Sequence, residues 1–329
     1  LLDEGADGLS AMEIAARVDN LGGFLSTQAD WNASWISLGL LSQHLAPGLD
    51  LLARIARGAT FPDGEVERLR HQRLANLKRR ASQPASLAAD ALAAALYPGT
   101  AYGQCPLGTQ TSVNALGRRQ LFEFYRQQFT PEGSTLILTG DLDTHTARQT
   151  VEDALGDWQG GEAKPAKPIR NDAQGETRVI LVDRKDAAQT TLRLGHPSIP
   201  RTHPDFGALQ VLNSLLGGKF TSRINLKLRE ELGITYGANS SFSTRLGPGP
   251  FQVAADVDSE GAGIGIREII GELHRLQDER VDEAELEDTK SYLLGVFPYP
   301  LQRIDGLASR LADLGVANLP DDYFDQQLD

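Results

Sequence analysis

Leu228-Arg229-Glu230-Glu231-Leu232-Gly233-Ile234-Thr235-Tyr236 reads as the end of a helix, a stop and the start of a strand. Leu232-Gly233 supplies the stop, because glycine takes the left-handed conformation that closes a helix without steric cost. Upstream, Ser222 to Glu231 is the helix. Downstream, Thr235 to Thr244 and Phe251 to Val257 are β-rich runs separated by Gly247-Pro248-Gly249, and a helix follows from about Gly263 to Leu276. The first half repeats this order. Ser10 and Glu13 form a capping box ahead of Ile14, Ala15, Val18 and Leu21, and Gly22-Gly23 stop that helix. Phe24 to Gln28 and Ser34 to Leu41 follow as β-rich runs joined across Asp30-Trp31-Asn32, then a helix is entered at Pro47 and runs to about Arg57. Setting Leu21-Gly22 on Leu232-Gly233 offsets the halves by 211 residues (232 minus 21), and each half then leads into a charged helix, at Glu65 and at Glu283.

The repeat predicts an internal duplication and an α+β fold of two homologous domains, each a sheet with helices packed on it. Residues 159–176, rich in Gly, Pro and charge and without apolar periodicity, read as a linker between a domain of residues 1–158 and one of residues 177–329. Further helices are predicted at about 64 to 80, 84 to 96, 116 to 129 and Pro204 to Leu216. Ser134 to Thr139, Arg178 to Val182 and Thr190 to Leu194 are predicted strands.

Lys and Arg total 32 against 44 Asp and Glu, a net charge of −12, which argues against non-specific binding of nucleic acid. The single Cys105 excludes an internal disulfide and any multi-cysteine metal site, and six histidines are scattered along the chain. No apolar run approaches the 18 or so residues of a membrane span, so a soluble protein is expected. The composition suits a periplasmic and a cytoplasmic protein equally.

Several motifs invite chemistry and fail. Gly217-Gly218-Lys219-Phe220-Thr221-Ser222 lacks the first glycine of a phosphate loop, where Asn213 stands, and the hydroxyl residue after the lysine, where Phe220 stands. Gly261, Gly263 and Gly265 precede a helix, but Ile266 occupies the third position of a dinucleotide fingerprint. The helix from Glu65 carries Arg68, Arg70, Arg73, Lys78, Arg79 and Arg80, which is either a solvated face or a patch for an anionic partner. Arg229 and Tyr236 also admit two readings: a helix-terminal charge and a packed strand residue, or a polar pair brought to one cleft wall. Their counterparts at the 211-residue offset are Val18 and Leu25, so the scaffold itself does not need the pair. That difference favours a functional role.

Phe61-Pro62, Glu67-Arg68, Gln83-Pro84, Tyr97-Pro98-Gly99, Pro106-Leu107-Gly108-Thr109 and Gly140-Asp141-Leu142-Asp143 add to the stretches Leu216 to Arg223 and Leu228 to Tyr236. Together they resemble the insulinase and pitrilysin-type zinc metallopeptidases, nearest the bacterial branch similar to the mitochondrial processing peptidase, and the resemblance runs over nearly the whole chain. It implies half of a clamshell-like peptidase chamber. Catalytic members carry His-x-x-Glu-His on a helix and a further Glu as third zinc ligand. Anchored on Phe61-Pro62 and Gln83-Pro84, the resemblance places that Glu at Asn76 and a supporting Glu at Leu69. An amide is a poor substitute for a carboxylate ligand, and the paired-histidine motif would fall before Leu1. The resemblance therefore implies a subunit that binds no metal, with zinc expected in a homologous partner of a heterodimer.

The family's substrate-binding Arg and Tyr carry over to Arg229 and Tyr236, and its loop beside the substrate to Gly217 and Gly218. The implied function is to bind a peptide substrate and close the chamber of a zinc metalloendopeptidase, the chain being inactive alone. The alternative is a non-enzymatic structural or assembly subunit of the same family. The chain ends at Gln327-Leu328-Asp329, inside what corresponds to the first-half helix near 116 to 129, so a closing strand and helix are expected beyond it.

Overall fold

A computed structural model describes residues 1–161, 169, 177–185 and 187–326. Most of the predicted linker therefore lies outside the described residues. In chain order the first elements are β1 (Gly5–Ala6), β2 (Leu9–Ser10), α1 (Ala11–Asn20), β3 (Phe24–Ala29), β4 (Ser34–Gly39), α2 (Leu45–Gly58) and α3 (Asp63–Ala81). Then come α4 (Pro84–Leu96), α5 (Gln110–Ala115), α6 (Arg118–Gln128), α7 (Thr144–Leu155), β5 (Gln189–Pro197), α8 (Phe206–Asn213) and α9 (Arg223–Asn225). The last are β6 (Thr235–Phe242), β7 (Pro250–Asp258), α10 (Ala262–Asp278), α11 (Glu283–Val296), α12 (Pro298–Leu301), α13 (Ile304–Ala317) and α14 (Tyr323–Gln326). The α+β class and both helix, hairpin, helix runs are present. Among the described residues no helix is long and apolar enough to cross a membrane.

Two compact units partition the chain, and neither is continuous. The first comprises Leu1–Lys78, Pro106–Lys167 and Pro300–Val316, the second Arg79–Cys105, Pro168–Tyr299 and Ala317–Asp329. They differ from contiguous domains by an exchange of segments with a local cause. The alanine-rich α4 packs on β5 in the second unit, where a Cβ on Gly195 would sit 3.3 Å from Leu92. In the first unit, Thr139 donates to the Ile304 carbonyl at 3.1 Å, and Gly315 lies against Thr135. Shifted by 211 residues, 79–105 falls on 290–316, of which 300–316 lie in the first unit, so the two exchanged segments overlap in the repeat.

In the first unit, Ser10 caps α1 as its sequence indicates: the Glu13 amide donates to Ser10 Oγ at 3.3 Å, and the Ser10 amide to Glu13 at 2.8 Å. Ile14 and Val18 then join Leu51, Ile55, Phe61, Val66 and Tyr125 in one apolar core. Phe61 holds φ at +48°, an uncommon conformation for a residue with a side chain, especially before proline. Its burial and its edge-to-face contact with Tyr125, centroids 5.5 Å apart, offset that strain, and Arg118 donates to its carbonyl at 2.8 Å. The Tyr125 hydroxyl caps α2, donating to the Ala56 carbonyl at 2.8 Å and accepting from the Ala59 amide at 3.3 Å. Burial raises its pKa.

The second unit is built on an antiparallel sheet of order β5-β7-β6. Alternate residues Phe251, Val253, Ala255 and Val257 of β7 face Leu216, Ile224, Leu228 and Ile269, which closes a second core. Two predicted strands, Ser134 to Thr139 and Arg178 to Val182, have no ladder. Strand composition forms a strand only beside a backbone partner, and none pairs with either run among the described residues. Arg178 instead donates to the Ala95 carbonyl of α4, and Arg184, just past the run, to the Ser82 carbonyl ahead of α4, with Val179 91% and Leu181 87% exposed.

Tyr125→Phe keeps the ring and strands two buried backbone groups. It is expected to destabilise the protein by about 1–3 kcal/mol. Denaturant unfolding of the two proteins measures this, and equal midpoints would refute the capping role.

Candidate functional site

The described residues contain no group of three or more His, Cys, Asp or Glu side chains placed to hold a metal ion. Asn76 and Leu69, at the positions where the resemblance puts carboxylates, lie half-buried on α3 and offer an amide and an alkyl chain. The residues present therefore do not fit a zinc site. The basic face of α3 is largely occupied. Arg68 pairs with Glu4 and Glu65, both at 2.6 Å, Arg70 bonds Glu67 and the Val113 and Leu116 carbonyls, and Arg80 holds Asp90 at 2.6 Å. That favours the solvated-face reading over an anionic-partner patch. A cavity of about 470 Å³ lined by Asp63, Arg118, Arg119, Phe122 and Glu123 shares none of these residues.

The second unit carries the candidate site. After α8 the backbone winds as a π-helical turn over Ser214–Gly218, runs through Lys219 to Ser222, and resumes as α9 followed by a second π-helical stretch, Leu226–Glu231. Single π turns are rare and concentrate at functional sites. The first depends on glycine: a Cβ on Gly217 would lie 2.4 Å from the Ser240 amide nitrogen, and one on Gly218 2.8 Å from Asn213 Nδ2. The helix then closes at Gly233, φ +64°, with the Ile234 amide donating to the Leu228 carbonyl at 3.1 Å. Its counterpart at the 211-residue offset, Gly22, has φ +61°, so the same corner is made in both halves.

Beyond the corner the halves differ. β3 and β4 pair without interruption, whereas β6 slips between Thr235 and Ala238 against β7. Tyr236 and Gly237 stand there opposite Asp256 alone, which is a β-bulge. The Thr235 hydroxyl stabilises it, donating to the Asp256 carbonyl at 2.7 Å and accepting from the Gly237 amide at 3.1 Å. The bulge turns Tyr236 out of the sheet, 94% exposed. Arg229 is one-third exposed. Its guanidinium stacks on the Phe220 ring, 4.3 Å from the centroid, and Nη1 lies 3.5 Å from Glu230. No hydrogen bond joins Arg229 to Tyr236; each is displayed by its own element.

Four residues that sequence reading passed over hold this arrangement. Asn225, buried, donates from Nδ2 to the Phe220 carbonyl at 2.6 Å and accepts at Oδ1 from the Ala238 amide at 3.0 Å. Lys219 Nζ reaches Asp288 at 2.9 Å and Thr289 at 3.0 Å. Arg223 forms a two-pronged pair with Glu285, whose pKa it lowers by direct hydrogen bonding; Arg275 and Lys219 lower it further, and burial opposes. Phe220 supplies the stacking ring. The signal for Asn225 was a polar residue on the helix face shared by Ile224 and Leu228. Phe220 was met only as a misfit to a phosphate-loop pattern.

Residues 115–293 match the family profile described as the peptidase M16 inactive domain. An uncharacterized zinc protease of Mycobacterium leprae is 27% identical over 314 residues, which covers 94% of this chain and 70% of the relative. A protein of Helicobacter pylori named non-peptidase homolog YmxG is 24% identical over 316 residues, with 94% and 71% covered. The crystal structure of a peptidase M16 inactive domain from Pseudomonas fluorescens superposes with a TM-score of 0.91 at 25% identity, covering 99% of this chain and 79% of that one.

Gly217→Ala forces the first π turn off Ser240 and is expected to cost on the order of 1–3 kcal/mol. At Gly271, inside α10 with open space around it, the same change should be neutral or stabilising by up to about 1 kcal/mol. Melting temperatures compare the two, and equal responses would refute the close-packing role. The depressed Glu285 carboxyl contributes stability that is complete above its unfolded pKa near 4.5 and is lost as pH falls through the lower folded value. Glu285→Gln should therefore flatten the acid limb of the stability–pH curve, and unfolding at stepped pH would show an unchanged limb if the pair contributes nothing.

Proposed function

This chain belongs to the peptidase M16 family, through that family's inactive domain, and we propose that it is the subunit of a heterodimeric zinc metalloendopeptidase that binds no zinc. In this reading a homologous partner holds the metal and performs the chemistry at it. This chain holds the substrate peptide and closes the chamber. In this reading the site lies within residues 177–329, and residues 1–158 carry Asn76 where the resemblance puts the third zinc ligand and Leu69 where it puts a supporting Glu.

The observation that carries the proposal is the display of Arg229 and Tyr236. A π-helical stretch presents one and a β-bulge the other, at positions occupied by valine and leucine in the duplicated half. A planar guanidinium and a phenol both donate hydrogen bonds, and peptide carbonyls accept them whatever the neighbouring side chain. Such a pair orients an extended backbone without selecting a single residue type. The zinc-protease name of the Mycobacterium leprae relative supports the peptidase context. The non-peptidase name of the Helicobacter pylori relative supports the second reading, a structural subunit without a catalytic partner.

The purified chain alone is expected to hold no stoichiometric zinc and to cleave no peptide. Co-expressed with a zinc-bearing homologue, it should elute as a heterodimer that cleaves an unfolded polypeptide. In that heterodimer Tyr236→Phe removes one donor and should lower kcat/KM about 10²- to 10³-fold, the range for donors that act mainly in the transition state. Arg229→Lys keeps the charge but loses the fork, and should also slow turnover. Wild-type kcat/KM in both variants, with assembly intact, would move the assignment to the structural reading.

A further inference from the structure

We infer that Phe220 is the positioning residue for Arg229, holding the guanidinium by a cation–π stack in the orientation that receives the peptide backbone. The inference rests on the reading of Arg229 as a peptide-binding side chain. An arginine in the last turn of a helix ordinarily samples many rotamers. Among the described residues Arg229 has one ion-pair contact, Glu230, which is its chain neighbour, is half exposed, and stands 3.5 Å away without hydrogen-bond geometry. Exposed pairs of that kind fix little. Its guanidinium carbon lies 4.3 Å above the Phe220 ring, inside the range in which the negative face of an aromatic ring attracts a cation.

Phe220 has no other evident task. Its side chain is 65% exposed and belongs to neither apolar core, so it is not there to pack. Its backbone is nevertheless held on both sides. Lys219, just before it, is anchored to Asp288 and Thr289. The Phe220 carbonyl accepts from Asn225, whose other amide atom binds Ala238, two residues beyond Tyr236 on β6. A large apolar ring fixed outward on a rigid loop, with a cation on one face, is a preorganised platform. The same amide that fixes the platform also fixes the strand that displays Tyr236. Phe220 thus sets where Arg229 stands relative to the phenol.

The test uses the whole chain, fluorescein-labelled β-casein as an unfolded polypeptide probe, and ¹⁵N-detected arginine side-chain spectra. Phe220→Leu keeps an apolar side chain and removes the π face. It should weaken casein binding roughly 3- to 30-fold and abolish the ring-current shift of the Arg229 side-chain resonances, with the melting temperature unchanged. Phe220→Trp should restore both. Wild-type affinity or an unchanged Arg229 shift in Phe220→Leu overturns the inference, as does failure of Phe220→Trp to rescue. Arg229→Ala separates the two levels. If it weakens binding while Phe220→Leu does not, the stack is irrelevant and the peptide-binding reading survives; if Arg229→Ala also binds normally, that reading falls and the inference with it.

Discussion

Both ends of the buried Asn225 amide are committed, one to the loop and one to the sheet. Nδ2 holds the Phe220 carbonyl and Oδ1 receives the Ala238 amide. Between those bonds lie the loop that bears the stacking ring, the helix that bears Arg229 and the strand that bears Tyr236. A buried amide with both ends satisfied is stable, and removing either partner leaves a polar atom stranded in a low-dielectric interior. This one side chain therefore couples the display of the site to the integrity of the second core. Its neighbours Ile224 and Leu228 are fully buried on the same helix, and Asn225 itself is 5% exposed.

Around that joint, charge performs a different task. Lys219 and Arg223 are nearly buried, and each is paired to α11 through Asp288, Thr289 and Glu285. They brace the loop and helix from behind, while Tyr236 faces outward and Arg229 lies partly exposed against the Phe220 ring. The strongly acidic chain supplies ample carboxylates for this. The cationic side chains are accordingly absorbed as structural pairs: Arg68, Arg70 and Arg80 of α3 bind carboxylates or carbonyls in their own units. Arg229, which stacks on a ring and has only its chain neighbour Glu230 within ion-pair distance among the described residues, departs from that pattern.

Duplication explains why the second half can afford such specialisation. Gly22 and Gly233 close corresponding helices with nearly the same left-handed φ, so the turn into the strand belongs to the inherited scaffold. The preceding winding and the following pairing then diverge. α1 is a regular α-helix followed by an uninterrupted hairpin; its counterpart ends in π turns and enters a bulged strand. Both departures change where a side chain points without moving the elements themselves. In the first half the equivalent positions hold Val18, which fills the core, and Leu25, which packs against it.

The order of elements, the capping of α1 by Ser10 and Glu13, the glycine stops, the α+β class and the family were legible from sequence alone. Capping, glycine stops and apolar periodicity are interactions among residues a few positions apart, so they are written directly in the local sequence. That Asn76 and Leu69 stand where the resemblance puts carboxylates was read for a related reason, since a motif at fixed spacing on one helix needs no tertiary knowledge. The tertiary structure alone decided that α4 and α13 change units, that Ser134 to Thr139 and Arg178 to Val182 stay outside any ladder among the described residues, that Tyr236 sits on a bulge, that Phe220 lies under Arg229, and that Asn225 joins the loop to the sheet. Each of those outcomes depends on partners distant in the chain: a strand exists only when another backbone lies beside it, and a side chain such as Asn225 acquires its role only when two remote main-chain groups arrive at its two ends.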